Sequence, residues 1–176
     1  MKLFYLSDVS QVDYFLSNKI YLKNFVPITG DISVSFEFEL RNIKYLNEWD
    51  YLSIEDINNN FDTANSLSCY WFSELFPDII PIDKTYFCST SQDMVYSLEA
   101  ALNAYSLYTT LFSQFHITEI HGFFLDNQAV IKTGPLPTNR AVRSVSQSIL
   151  FWLCEKELIP IIQLKSKFPI SLGTLK

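Results

Sequence analysis

The stretch from Ile117 to Leu164 constrains the fold of this chain more than any other, because it spells out one complete structural step. Ile117 to Phe124 is an apolar run that predicts a strand, and Ala129 to Ile131 is a second, shorter one. Thr133-Gly134-Pro135-Leu136-Pro137-Thr138 predicts a tight loop, Asn139 to about Glu157 a helix, and Pro160 to Leu164 a closing strand. Strand, crossover helix and strand in that order are the grammar of a parallel sheet, since parallel neighbours need a long connection between them.

Each boundary in that step has a cause. Two prolines and a glycine keep helix out of the loop, and Thr138 or Asn139 supplies a side chain that can cap the helix after it. Val142, Val145, Ile149, Trp152 and Leu153 recur at helical spacing, which marks them as the expected core face. Pro160 ends the helix and suits the first position of a strand, where no N–H is owed to a neighbour. Ile161 and Ile162 then read as a strand buried on both faces.

Parallel α/β sheets take ligands beyond the carboxyl ends of their strands, and a crossover helix presents unpaired N–H groups there. The loop from Thr133 to Arg140 is expected at such a place. Thr133, Gly134, Thr138, Asn139 and Arg140 are therefore candidate contacts for a phosphate or carboxylate. The simpler reading is preferred, in which Thr138 and Asn139 cap, the prolines turn and Arg140 is solvated, because the glycine-rich fingerprint of such loops is missing.

The 176 residues suffice for one core, and a composition 48% hydrophobic and 16% aromatic excludes disorder over most of the length. The predicted organisation is a single α/β domain over 1–164, with a hinge or linker between two halves of the sheet at 77–84 and a tail or linker at 165–176. A net charge of -6 with scattered Lys and Arg disfavours a nucleic-acid surface. Cys69, Cys88 and Cys154 are far apart, as free thiols in a reducing compartment would be. Met1 to Asp13 lacks the apolar length of a signal peptide, so the chain is read as cytoplasmic. The longest uncharged run, Ala100 to Thr118, is broken by polar positions such as Asn103, Ser106 and Gln114 and predicts an amphipathic helix rather than a membrane span.

From the N-terminus, Leu3 to Leu6 predicts a strand followed by a capped turn or helix through Val12, Phe15 and Leu16. Asp8 falls at the carboxyl end of that strand. It is a candidate ligand contact, with helix capping the preferred reading. Phe25 to Thr29 predicts the next strand. Ile32, Val34, Phe36, Phe38 and Leu40 alternate as a half-buried strand would, yet Ile32, Phe36, Leu40 and Ile43 also fall at helical spacing. With Asp31 as a cap and Glu37 and Arg41 four apart, helix is preferred, which leaves Ile43 to Leu46 as the following strand.

Ser53 with Asp56 resembles a capping box opening a helix whose expected core face is Ile54, Ile57, Phe61, Ala64, Leu67, Trp71 and Leu75, stopped at Pro77. Tyr86 to Cys88 predicts a short strand, and Ser89 with Gln92 a second capping box. The helix beyond it places Met94, Leu98, Ala101, Tyr105, Tyr108, Phe112 and Phe115 on one stripe.

Several chemistries are excluded in their usual form. Four glycines, none near another, leave no dinucleotide fingerprint and no P-loop, so no cofactor is expected. There is no Cys-x-x-Cys, no His-Glu-x-x-His and no Gly-x-Ser-x-Gly elbow. His116 and His121 read as ordinary hydrogen-bonded histidines, and no metal ligand set stands out. Glu48 with Asp50 and Glu55 with Asp56 are placed at a turn and a helix start, where carboxylates need no catalytic role. No catalytic residue is picked out by spacing.

Phe25 to Thr29, Leu40 to Tyr45 and Glu48-Trp49-Asp50-Tyr51-Leu52-Ser53, taken in that order, resemble the N-terminal domains of bacterial surface-carbohydrate biosynthesis proteins. Those domains are similar to the N-terminal halves of GT-B glycosyltransferases. Trp152 to Leu164 resembles the helix-to-strand step on which such domains end. The resemblance implies an α/β, Rossmann-like three-layer domain with a mostly parallel sheet. It also implies an acceptor-side role in a glycosyltransferase, with the donor nucleotide-sugar held mainly by a second domain, and inactivity for such a half on its own. A carbohydrate or phosphorylated ligand is the expected partner, and a further C-terminal domain or a homo-oligomer would cover remaining apolar surface. The rival expectation is a non-catalytic interaction domain that docks through its aromatic-rich surface. A self-contained small enzyme ranks third.

Overall fold

A computed structural model describes residues 1–75, 84–124 and 139–164. Five strands form one sheet: β1 (Lys2–Tyr5), β2 (Val26–Thr29), β3 (Leu46–Asn47), β4 (Glu119–Gly122) and β5 (Ile161–Gln163). Their order is β3-β2-β1-β4-β5, and every neighbouring pair is parallel. The helices are α1 (Ser10–Ser17), α2 (Lys19–Asn24), α3 (Ile32–Leu40), α4 (Ile54–Leu75), α5 (Lys84–Gln114) and α6 (Asn139–Lys156). The fold class is α/β and Rossmann-like. Strand order runs outward from β1 through β2 to β3, then reverses through β4 to β5, so the topological switch point lies between β1 and β4.

The chain divides into two compact units. One holds the described residues within 1–48, 116–124 and 158–176, and the other those within 49–115 and 125–157. The first contains the whole sheet with α1, α2 and α3. The second contains α4, α5 and α6. Of the expected hinge at 77–84, all but Lys84 lies outside the described residues, as do the run Ala129–Ile131 and the segment 165–176.

In the first unit Phe4 of β1 and Leu6 just beyond it pack with Val12 and Phe15 of α1, Val34 and Phe38 of α3, and Phe25 and Phe123. Phe4 is the hub, with ring centroids 5.1 Å from Phe15, 4.6 Å from Tyr21 and 6.2 Å from Phe123. Fully burying a side chain of this size contributes roughly 1.5–3 kcal/mol. Pro27 sits inside β2 without disrupting the ladder, because pairing toward β3 begins only at Ile28 with Leu46.

Residues 32–40 are helical, as Asp31 makes them: its carboxylate accepts from the N–H groups of Ser33 and Val34, and Arg41 pairs with Glu37 at 3.2 Å. The following strand is shorter and later than the expected Ile43 to Leu46, comprising only Leu46 and Asn47. The buried face of α3 is Val34 and Phe38, while Ile32, Phe36 and Leu40 point outward. Asn18 caps α2, a helix the hydrophobic pattern did not mark. Pairing also corrects β5: Ile162 is exposed and Ile161 half-buried, since this strand has a neighbour only on the β4 side.

The second unit is helical. α5 packs with both α4 and α6. The Ser53 capping box forms as expected, with the Ser53 hydroxyl accepting from the Asp56 N–H at 3.0 Å and the Asp56 carboxylate accepting from the Ser53 N–H at 3.2 Å. The expected strand at Tyr86–Cys88 and the capping box at Ser89 are overturned, because α5 runs unbroken from Lys84. Extending a helix adds one hydrogen bond per residue fixed, and that outweighs the slight β preference of a Tyr-Phe-Cys run.

Of three expected core stripes, Ala64, Tyr108 and Leu153 are buried as expected, and other expected members are exposed. Among the described side chains, those buried on α4 are Ala64 and Ser68, and Ile54, Phe61 and Leu67 are exposed. On α5 they are Ala104, Leu107, Tyr108 and Leu111, with Tyr105 exposed. On α6 they are Gln147, Leu150, Leu153 and Cys154, with Trp152 exposed. Small side chains let the helices approach closely, and polar ones pair between them. Asn60 donates to Asn103 at 2.9 Å and Ser106 at 3.1 Å, and the hydroxyls of Tyr108 and Ser146 lie 3.1 Å apart.

Candidate functional site

Because every strand is parallel, the carboxyl ends of all five share one edge of the sheet. At the end of β1 the chain continues through Leu6, whose N–H donates to Ile28, into Ser7 and Asp8. The Ser7 N–H donates to Gln11 Oε1 at 2.9 Å, which holds the Gln11 amide back against the strand end in a buried position. Asp8 Oδ1 accepts from the Ser10 N–H at 2.8 Å and from the Ser10 hydroxyl at 2.6 Å. The Asp8 side chain thus organises the entry to α1 and remains at the carboxyl edge.

At the end of β2, Thr29 is fully buried, and its hydroxyl accepts from the Asp31 N–H at 3.0 Å. Asp31 in turn caps α3. Between them Gly30 leaves room for the carboxylate of Glu48, which a Cβ at that position would strike. Glu48 follows β3 directly and is only 7% exposed. At the end of β4, Phe123 and Phe124 are buried, and the Phe124 ring stacks on Tyr5 with centroids 5.4 Å apart. β5 closes the edge, with the Leu164 N–H donating to Gly122 at 2.8 Å and the Gln163 amide to the Phe124 carbonyl at 3.5 Å.

Burying a polar group is costly unless it is hydrogen-bonded, so where a chain does it is informative. Among the described residues the buried polar side chains are Gln11, Thr29, Glu48, Ser68 and Gln147. Thr29 and Glu48 stand at the ends of β2 and β3, Gln11 lies in the first turn of α1 with its amide held to Ser7 beyond β1, and Ser68 and Gln147 lie on α4 and α6. Among the described residues, charge at this edge has one sign. Asp8, Asp31 and Glu48 bring carboxylates, and the segments 6–11, 29–31, 47–48, 122–124 and 163–164 contain no Lys or Arg. Carboxylates accept hydrogen bonds and donate none, and a phosphate or carboxylate ligand would meet repulsion here. Such an edge suits hydroxyl or amine donors.

A second polar cluster lies on a face of the same sheet. Lys2 pairs with Glu119 at 2.5 Å, Glu119 also pairs with His121 Nε2, and His121 Nδ1 lies 3.4 Å from the Tyr21 hydroxyl. The imidazole sits against Phe25 and Tyr21, with centroids 4.5 and 5.6 Å away. Lys2 and then His121 hold the Glu119 carboxyl below its usual range, and burial pushes the Tyr21 phenol up. These groups satisfy one another across the β1–β4 register and leave the imidazole wedged between rings. Their work is to hold the switch-point strands together.

Of the residues expected from sequence, Asp8 is in the first unit at the carboxyl edge. Asn139 and Arg140 open α6 in the second. Thr133, Gly134 and Thr138 lie outside the described residues. Gln11, Thr29 and Glu48 were missed. Glu48 carried the best signal, an acid directly after a strand-like run, yet it reads as a turn residue until the sheet places it against Gly30. Among the described residues no group of His, Cys, Asp and Glu could hold a metal, and no helix is long and apolar enough to cross a membrane.

No family model, curated protein or solved structure matches this chain.

Proposed function

We propose that the sheet-containing unit binds a neutral polyhydroxyl ligand, a sugar, at its carboxyl edge, and that the chain serves as the acceptor-side domain of a glycosyltransferase of surface-carbohydrate biosynthesis. The observation that carries this reading is that Gln11, Thr29 and Glu48, buried and polar, stand with Asp8 and Asp31 along the carboxyl edge of the sheet from β1 to β3. Sugar hydroxyls donate to carboxylates, and this edge offers several. The acidic edge supports an acceptor sugar over a nucleotide-sugar donor, whose diphosphate would call for cationic or N–H donors. It also moves the reading away from a phosphorylated ligand. The resemblance of the Phe25 to Ser53 region to surface-carbohydrate biosynthesis proteins supports the same assignment.

Saturation-transfer NMR with a panel of neutral hexoses and N-acetylhexosamines, run beside inorganic phosphate, tests it. Transfer to one or more neutral sugars, reduced by Asp8→Ala and by Gln11→Leu, is the expected result. Preference for phosphate, or sugar signals untouched by both substitutions in folded protein, would overturn it.

A further inference from the structure

The two ends of the Gln11 amide are not equally satisfied. Oε1 accepts from the Ser7 N–H at 2.9 Å, and because a backbone N–H can meet only an acceptor, this contact fixes which end of the amide is oxygen. Nε2 is then left with Ser7 Oγ at 3.5 Å, the outer limit of a hydrogen bond. That contact uses one of its two N–H groups, and the second has no partner among the described residues. Gln11 is only 7% exposed. A donor held so deep without an acceptor is costly, and a fold keeps one where something else supplies the acceptor.

Asp8, three residues before it, shows the opposite remainder. Its Oδ1 accepts both the N–H and the hydroxyl of Ser10, and its Oδ2 has no partner among the described residues. The entry to α1 therefore carries one unspent N–H and one unspent carboxylate oxygen at the carboxyl edge.

The surroundings select what meets the N–H. An anion would accept from it, but the carboxylates of Asp8, Asp31 and Glu48 repel an anion. Among uncharged groups that sugars carry, an amide carbonyl is a better acceptor than a hydroxyl or a ring oxygen, and the N–H beside that carbonyl donates to a carboxylate. An acetamido substituent thus answers both remainders at once.

On the footing of the sugar reading above, we infer that the sugar is an N-acetylhexosamine, with Gln11 Nε2 donating to its acetamido carbonyl. Gln11 is then the residue that distinguishes this sugar from the plain hexose.

Titrations of the isotope-labelled whole chain, followed by amide NMR that includes the side-chain NH2 groups, test this with matched pairs. The pairs are glucose with N-acetylglucosamine, galactose with N-acetylgalactosamine, and mannose with N-acetylmannosamine. In at least one pair the acetamido sugar is expected to bind at least about tenfold tighter, the ratio that one hydrogen bond commands. The Gln11 NH2 resonances are expected to move with that sugar and to stay still with its hexose. Gln11→Glu keeps an oxygen for the Ser7 N–H and removes the NH2, and is expected to bring the ratio below about threefold in protein whose fold circular dichroism confirms. If that variant does not fold, the wild-type ratio and the NH2 resonances decide.

Equal binding within every pair, or Gln11 NH2 resonances that stay still as the acetamido sugar binds, would overturn this inference and leave the sugar reading standing. So would a ratio that folded Gln11→Glu leaves unchanged. Binding of no sugar in any pair would overturn the sugar reading and this inference together.

Discussion

Gly122→Ala is the smallest change that tests the packing at the switch point. Gly122 pairs with Tyr5 in the register of β4 with β1, and Leu164 donates to its carbonyl from the other side. A Cβ at this position would lie 2.9 Å from the Tyr5 Cβ, 2.9 Å from the Tyr5 carbonyl oxygen and 3.0 Å from the Phe124 Cζ. One of these is backbone, and the others belong to stacked, buried rings, so no flexible side chain can move aside. Overpacking of this kind costs about 1–3 kcal/mol. Against it stands the entropy gained when Ala replaces Gly in the unfolded chain, about 0.4–1 kcal/mol. The net loss is about 1–2 kcal/mol, and for a chain of this size each kcal/mol lowers Tm by roughly 2–4 °C. Differential scanning calorimetry and urea unfolding at neutral pH give both numbers. A variant as stable as the wild type would show that Tyr5 and Phe124 do not close over Gly122, and the described edge would have to be redrawn.

Ser53→Ala removes the hydroxyl that accepts from the Asp56 N–H and is expected to cost about 1 kcal/mol in urea unfolding; no measurable loss would count against the capping box. Burial pushes the Cys154 thiol up to about 12. Iodoacetamide at mild alkaline pH, followed by peptide mass mapping, is therefore expected to leave Cys154 unmodified in native protein and to label it after denaturation. The third concerns pH. The Glu119 carboxyl is held below its ordinary value of 4.5 by Lys2 first and His121 second. Its pairing therefore contributes fully above that value and is lost as the pH falls through the lowered one. Lys2→Met is expected to cost about 0.2–1 kcal/mol at neutral pH, with the difference from wild type vanishing in acid; a difference that grew on acidification would contradict the pairing.

What could be read from the sequence was the local chemistry. Asp31, the Glu37 and Arg41 pair, and Ser53 with Asp56 each act within one turn of helix, and each forms as expected. The phase of a helix is a different matter. Residues 32–40 are apolar on both sides, so no pattern distinguishes Val34 and Phe38 from Ile32, Phe36 and Leu40. On α4 and α5 the buried positions include Ala64, Ser68 and Ala104, small residues that a search for large hydrophobics passes over. Tyr86 to Cys88 shows the limit of local propensity, because the helix around it decides. The candidate site was the least legible. Gln11, Thr29 and Glu48 are distant in sequence, and only the parallel register gathers them at one edge.

That gathering is the central claim, and amide chemical-shift mapping tests it most directly. Titrating isotope-labelled protein with the neutral sugar that gives the strongest saturation transfer is expected to shift the amides of Ser7, Asp8, Ser10, Gln11, Gly30, Asp31 and Glu48 together, with one common dissociation constant. Shifts that fall elsewhere and leave these residues still would contradict it.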